Sequence, residues 1–177
     1  MQIEEIINFV KDNDKVIVGK NGNLDVTRYS GMISYYPEEL VLVVKAGTNN
    51  KFIKDLLKEN NQGLDFWFDE NKTIGSTYCK GGADIRGSVL GVKVIDGNGE
   101  LLNFGGEVMK NVAGYDVSRM LCGSAGKCGV ITQISFKILP LTSIPDYKKP
   151  VFSISNDDLD EINAKINQIF DPLRKFQ

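Results

Sequence analysis

The first half of the chain alternates between helical and strand-like patterns of apolar residues. The stretch MQIEEIINFVKDNDK predicts an amphipathic helix, because its large apolar residues recur at helical spacing: Ile3, Ile6, Ile7 and Val10. Residues 15–18 (KVIV) predict a short buried strand that runs into a polar, glycine-containing loop. Residues 40–45 (LVLVVK) predict a second strand.

A second helix is predicted directly after this strand. Its apolar residues fall on one face: Phe52, Ile53, Leu56 and Leu57. Thr48 or Asn49 can cap its first turn. We expect Gly63 to close it, because glycine is the preferred residue just past a helix.

The following section predicts mainly β-structure. Residues 89–95 and 100–104 form a predicted hairpin, joined by the turn sequence Asp96-Gly97-Asn98-Gly99. Asp116 is placed to cap a short helix. Residues 130–139 alternate between apolar and polar side chains, as in a half-buried strand, and Pro140 is expected to end it.

The sequence pattern changes after Pro140. Pro145 and Pro150 bracket a polar linker, residues 151–154 predict a strand, and residues 155–170 predict an amphipathic helix. The order of elements as a whole predicts an α+β fold.

Composition excludes several classes of function. The chain has 177 residues and a net charge of −2, so it can bury one good core but lacks the basic face of a nucleic-acid-binding protein. Its longest apolar run, residues 40–44, is far shorter than a membrane span, and its N-terminus lacks the basic start of a signal peptide. We expect a cytoplasmic protein without a direct membrane span.

The titratable residues limit the possible chemistry. Without histidine, the chain can build neither a Ser-His-Asp triad nor a histidine-containing zinc site, so a general base would be a carboxylate, lysine, tyrosine or thiolate. Cys79, Cys122 and Cys128 lack C-x-x-C spacing, which favours reduced, partly buried thiols over a disulfide or a metal site.

A glycine-rich segment at residues 105–132, GGEVMKNVAGYDVSRMLCGSAGKCGVIT, is the most informative part of the chain. Grouped glycines allow backbone amides to approach a planar or anionic ligand. The same glycines can also serve tight turns, and the residues alone leave both interpretations open.

Three segments together resemble one family: residues 104–121 (FGGEVMKNVAGYDVSRML), residues 24–48 (LDVTRYSGMISYYPEELVLVVKAGT) and residues 123–132 (GSAGKCGVIT). They are similar to the FAD-binding domain of the vanillyl-alcohol oxidase/PCMH superfamily, and most of all to the GlcE-type subunits of glycolate oxidases. The resemblance extends over roughly residues 14–140 and takes a shortened form.

This resemblance implies FAD as cofactor, held by three elements. The first, which would receive the pyrophosphate, is the loop Gly19, Lys20, Asn21, Gly22 and Asn23. The second, which would run along the flavin, is the turn Thr73, Ile74, Gly75 and Ser76. The third comprises Gly123, Ser124, Gly126, Gly129, Val130 and Ile131. The first two elements are shorter than in the family, and the first is equally compatible with a plain turn.

No catalytic residue is assigned. Lys80, Asp84 and Arg86 are either charges near the flavin or a subunit interface, or exposed loop charges. Polar residues of the signature block can serve catalysis, packing or docking: Glu107, Lys110, Asn111, Tyr115, Asp116 and Arg119.

The resemblance also implies a domain plan. Residues 1–140 would form a PCMH-type domain with a small parallel-stranded N-terminal lobe (about 1–72) and a mainly antiparallel lobe (about 73–140). Residues 141–177 would be the remnant of a largely absent cap domain.

The implied function is that of an FAD-binding subunit in a glycolate or D-2-hydroxyacid oxidase complex. Its partners would be a larger flavoprotein subunit and an iron–sulfur subunit, through which the chain could lie at the inner membrane. The alternative is a flavin-free scaffold or docking subunit that keeps the fold without the cofactor. A nucleotide-sugar reductase is a poorer hypothesis, because nothing in the chain resembles its substrate domain.

Overall fold

The computed structural model describes residues 1–81, 83–107, 116–145 and 157–177. Within them the strands are β1 (Met32–Tyr36), β2 (Val41–Lys45), β3 (Gln62–Leu64), β4 (Val89–Ile95), β5 (Leu101–Gly105) and β6 (Val130–Pro140). The helices are α1 (Ile3–Asp12), α2 (Asn50–Lys58), α3 (Ile74–Lys80), α4 (Ala83–Ser88), α5 (Val117–Met120) and α6 (Asp157–Phe170). A 3₁₀ turn, Leu141–Ser143, follows β6.

These described strands form one antiparallel sheet in the order β1-β2-β6-β4-β5, with β3 also paired to β6. Strand β6 is central: Ser135 is opposite Val43 of β2 on one side and Gly91 of β4 on the other. The antiparallel α+β architecture is therefore confirmed. The sheet joins strands from both sides of residue 72, and the division into lobes and cap stays a prediction.

The parallel-stranded N-terminal lobe is not confirmed. Strands β1 and β2 pair antiparallel with each other, and residues 15–18 do not form a regular strand. In the part of the chain that the structure describes, parallel pairing is limited to two isolated bridges, Val16 with Phe176 and Val18 with Leu24.

Strand β6 was predicted to be half-buried, and this prediction is wrong. Gln133 and Ser135 are only 8% and 4% exposed, although they lie among the polar positions of the alternation. Both faces of the sheet are buried at this point, since the four successive residues Val41–Val44 of the neighbouring strand β2 are buried as well. The predicted strand at residues 151–154 lies outside the described residues.

Helix α2 begins as predicted and ends earlier. The Asn49 side chain accepts a hydrogen bond from the Lys51 amide at 2.8 Å and caps the helix. The helix ends at Lys58, and Asn61 takes the left-handed conformation with φ 53°. Gly63 does not close the helix, because it lies in β3 opposite Leu139.

The buried apolar residues form two clusters. The larger packs α2, α3 and parts of α5 and α6 against the sheet. The smaller joins Ile6 and Val10 of α1 to Ile95, Val130 and Phe176. The predicted apolar face of α1 is confirmed, since Ile6 and Val10 are fully buried.

The C-terminal residues are built into the smaller cluster. Asp171 is 5% exposed, and its two carboxylate oxygens accept hydrogen bonds from the amides of Lys175 and Phe176, both at 2.8 Å. The buried Lys175 ammonium donates to the carbonyl of Val10 at 2.7 Å, at the end of α1. The segment therefore ties α1 to the sheet.

None of the helices in the described ranges is long and apolar enough to cross a membrane.

Candidate functional site

The first predicted flavin element, Gly19–Asn23, is a turn stabilised from within. The Asn23 side chain accepts from the Ile17 amide at 2.8 Å and donates to the Lys15 carbonyl at 2.7 Å. Two of the loop's own amides donate inside it, Gly19 to the Leu24 carbonyl and Gly22 to the Gly19 carbonyl. Among the described residues, the hydrogen bonds of this loop stay within residues 15–24.

The second element, Thr73–Ser76, is the N-terminus of α3, not a turn. Thr73 is the N-cap, and Ile74 and Gly75 are buried. The first three helix amides donate to oxygens of the protein: Ile74 to Thr48 O (2.9 Å), Gly75 to Ala46 O (2.8 Å) and Ser76 to Thr73 Oγ1 (3.2 Å). The strand end Ala46-Gly47-Thr48 is thus joined to α3. The sequence pattern did not predict this contact, although residues 46–48 (AGT) belong to one of the three segments that resemble the family.

The third element is a loop that packs against the end of α3. Its amides also donate inward: Gly123 to Tyr78 O (3.0 Å), Ser124 to Leu121 O (3.1 Å), Ala125 to Cys79 O (2.9 Å) and Lys127 to Ser124 O (3.0 Å). The Gly126 backbone slightly lowers the pKa of Cys79, against the larger effect of burial, which raises it. Val130 and Ile131 belong to β6, and their side chains lie in the smaller and larger cluster, respectively.

Three of the predicted site glycines have no room for a Cβ atom. An added Cβ would lie 1.9 Å from the Ile17 carbonyl oxygen at Gly22, 2.8 Å from the Ala46 oxygen at Gly75, and 2.4 Å from the Ile95 oxygen at Gly129. In each case the obstacle is the chain's own backbone. At Gly19 and Gly126, by contrast, an added Cβ would meet nothing within 4 Å.

Of the predicted charges, Arg86 has a structural partner. Its guanidinium donates to the Cys122 carbonyl at 3.0 Å, beside Gly123. Asp116 caps α5 through the Arg119 amide, and the two side chains form a half-exposed ion pair at 3.2 Å. Three residues of the signature block lie outside the described residues: Lys110, Asn111 and Tyr115.

The three cysteines are free thiols rather than nucleophiles; Cys122 and Cys128 are buried and Cys79 is partly buried. Burial raises the pKa of Cys79 to about 12, and the neighbouring Cys122 and Cys128 add to this shift. Burial likewise raises the pKa of Cys122 and of Cys128 to about 11. It also raises the pKa of Tyr78, whose hydroxyl donates to the Ser118 carbonyl. All four groups are protonated at neutral pH and cannot act as general bases there.

The raised pKa values of these thiols predict that the protein loses stability at alkaline pH. Their pKa values are raised in the folded state, so their contribution is fully present below the ordinary value of 9.0 and is lost as the pH rises toward 11. We expect the free energy of unfolding to fall by about 1.4 kcal/mol per pH unit for each thiol in this window. Urea unfolding between pH 7 and pH 11 measures it; the Cys122→Ala/Cys128→Ala double variant should show a shallower slope. An equal slope in both proteins would refute the assignment.

The three elements do not fit the FAD pyrophosphate. A phosphate cradle requires grouped amides that point toward the ligand. Three amides of α3 donate to the protein itself, as do four of the third element, those of Gly123, Ser124, Ala125 and Lys127, and two of the first loop. The tight glycines face the chain's own carbonyl groups. The described geometry is that of a self-contained turn in the first element and of contacts within the protein in the other two.

Fold and sequence nevertheless define the class of protein. The chain aligns with a structure of alkyldihydroxyacetonephosphate synthase at a TM-score of 0.61, over 78% of this chain and 30% of that one; at 16% identity this likeness concerns the fold alone. Together with the sequence identity to the glycolate oxidase subunit GlcE, this fold confirms the resemblance to the PCMH-type domains. No protein-family model matches the chain.

Within that class the chain is a homologue of the glycolate oxidase subunit GlcE. It is 40% identical to GlcE of Escherichia coli over 142 residues, which are 72% of this chain and 41% of that subunit. It is also 32% identical to the glycolate oxidase subunit GlcD of Bacillus subtilis over 90 residues, 46% of this chain and 18% of that subunit. The chain thus spans less than half the length of these relatives.

Proposed function

We propose that the chain is a subunit of an FAD-dependent 2-hydroxyacid oxidoreductase complex of the glycolate oxidase type. The observation that carries this proposal is the 40% identity to GlcE over 142 residues, together with the antiparallel PCMH-type fold. The homology to GlcD, a second glycolate oxidase subunit, supports the same class of complex.

The proposed partners are a larger flavoprotein subunit, which would oxidise the hydroxyacid, and an iron–sulfur subunit. A cluster held by cysteine thiolates takes four of them, and this chain has three cysteines, so a cluster would be held by a partner. Because Tyr78 and the three thiols are protonated at neutral pH, we assign no proton transfer to them. The proposed role of the chain is to complete the assembly.

A second candidate is a subunit that binds its own FAD. It is favoured by Gly126, which has φ 81° and open space where a Cβ would lie, and by Gly19, which is equally open. These two glycines are the positions at which a ligand could approach the backbone of the predicted elements.

Co-purification tests the proposed function. The tagged chain is co-expressed with the larger flavoprotein subunit and the iron–sulfur subunit from the same genome. We expect the three chains to purify together and to oxidise glycolate or D-lactate with an artificial electron acceptor, with less turnover when this chain is omitted. If the partners assemble and turn over equally well without this chain, and it does not co-purify, the proposed function is wrong.

A further inference from the structure

We infer that this chain is a flavin-free subunit: the first of its three glycine-containing elements is a self-contained turn, and the other two join parts of its own core instead of holding FAD. The inference rests on the proposed function for its place in a complex. It departs from what the family implies for this domain, and the contacts of the described residues support it in three steps.

The first amides of α3 already have acceptors within the protein. Helix N-termini bind phosphate because their first amides have no partner within the helix. Here those of Ile74 and Gly75 donate to the carbonyls of Thr48 and Ala46, and that of Ser76 donates to the N-cap hydroxyl. A phosphate at this position would have to displace the strand end that follows β2.

The second step concerns the glycines. Where a glycine contacts a ligand, its missing Cβ makes room for that ligand. Where a glycine lies at a packing contact in the core, the missing Cβ makes room for another part of the protein. Gly75 faces the Ala46 carbonyl and Gly129 faces the Ile95 carbonyl, and both acceptors are backbone atoms that cannot move aside as a side chain would. Gly81 similarly faces the Cα of Gly123, at 2.6 Å from an added Cβ, so the third element is packed against the end of α3.

The third step concerns charge. FAD carries two phosphate charges, which are commonly balanced by arginine or lysine. Arg86 lies against the third element, and its guanidinium donates to the Cys122 carbonyl, while Lys127 within that element is exposed. Lys20 in the first loop is exposed; hydrogen bonds from Thr27 chiefly lower the pKa of nearby Asp25, and the charge of Lys20 adds a smaller contribution. Arg86 is therefore held by the protein itself, and the two lysines are exposed rather than buried around an anion.

Equilibrium dialysis of the isolated full chain against FAD tests the inference directly. We expect no saturable binding up to about 100 µM FAD, a hundredfold above a micromolar dissociation constant. We also expect no rise in melting temperature on addition of FAD, since a ligand that bound the folded state would stabilise it. The Gly126→Asp variant, which places a carboxylate at the open glycine, should behave like the parent in both measurements.

Saturable binding by the parent chain would overturn the inference, and its loss in Gly126→Asp would place the FAD at the third element. Circular dichroism of the variant controls for folding. The result is distinct from that of co-purification. A chain that binds FAD and joins its partners refutes only this inference, whereas a chain that binds neither refutes only the proposed function.

Discussion

Replacing Asp171 by alanine should lower the free energy of unfolding by about 3 kcal/mol, because it leaves two buried amides, those of Lys175 and Phe176, without their acceptor. We expect a large loss for a single buried carboxylate, because Asp171 also holds the C-terminal segment in place. In that segment Phe176 pairs with Val16, and Lys175 hydrogen-bonds to the end of α1. In a chain of this size that corresponds to a drop in melting temperature of roughly 6 to 12 °C.

Differential scanning calorimetry measures this effect. Leu173→Ser is the matched control, because Leu173 lies in the same segment with 59% of its surface exposed, and we expect it to change the unfolding free energy by less than about 0.5 kcal/mol. Equal, small effects of the two substitutions would show that the C-terminal segment does not stabilise α1.

We expect Gly129→Ala to lower the free energy of unfolding by about 3 kcal/mol or more. Its φ of 124° is rarely adopted by residues with a side chain, and the added Cβ would lie 2.4 Å from the Ile95 oxygen and 2.8 Å from Val94 Cγ2. The site lies between β4 and the start of β6, so relief would require the two strands to separate.

Gly126→Ala provides the comparison for this prediction. It also has a positive φ, 81°, but an added Cβ meets nothing within 4 Å, so only conformational strain of about 1 kcal/mol is expected. Urea unfolding of both variants measures the difference. If Gly126→Ala lowers the free energy of unfolding as much as Gly129→Ala does, the distinction between a glycine packed against backbone and one that faces open space is wrong.

Features determined by local chemistry could be predicted from the sequence. The β4–β5 hairpin forms where expected because Asp96 accepts hydrogen bonds from the amides of Asn98 and Glu100 within its own turn. The caps of α2 and α5, at Asn49 and Asp116, are equally local. The face of α1 follows from helical spacing alone.

Features that depend on distant partners could not be predicted. Gln133 and Ser135 alternate with apolar residues as in a half-buried strand, and only the folded structure, in which both faces of the sheet are buried at this point, shows that they are buried. Lys175 looks like an ordinary surface charge in the sequence, since its acceptor, the Val10 carbonyl at the end of α1, is 165 residues away.

The candidate site shows the same limit. A glycine that accommodates a ligand and a glycine that accommodates a neighbouring carbonyl group are identical in sequence. They differ in what lies opposite the missing Cβ, and at Gly22 and Gly75 that is the backbone of Ile17 and Ala46. The resemblance therefore identified the family, while the role of each glycine in this chain depends on which atoms the fold places opposite it.

The number of FAD molecules in the co-purified complex tests the central claim most directly. The complex is denatured, the released flavin is quantified by absorbance, and each chain is quantified by amino-acid analysis. We expect the flavin to equal the number of larger flavoprotein subunits, with none attributable to this chain. A second FAD for each copy of this chain, lost in the Gly126→Asp variant while the complex stays assembled, would contradict the account.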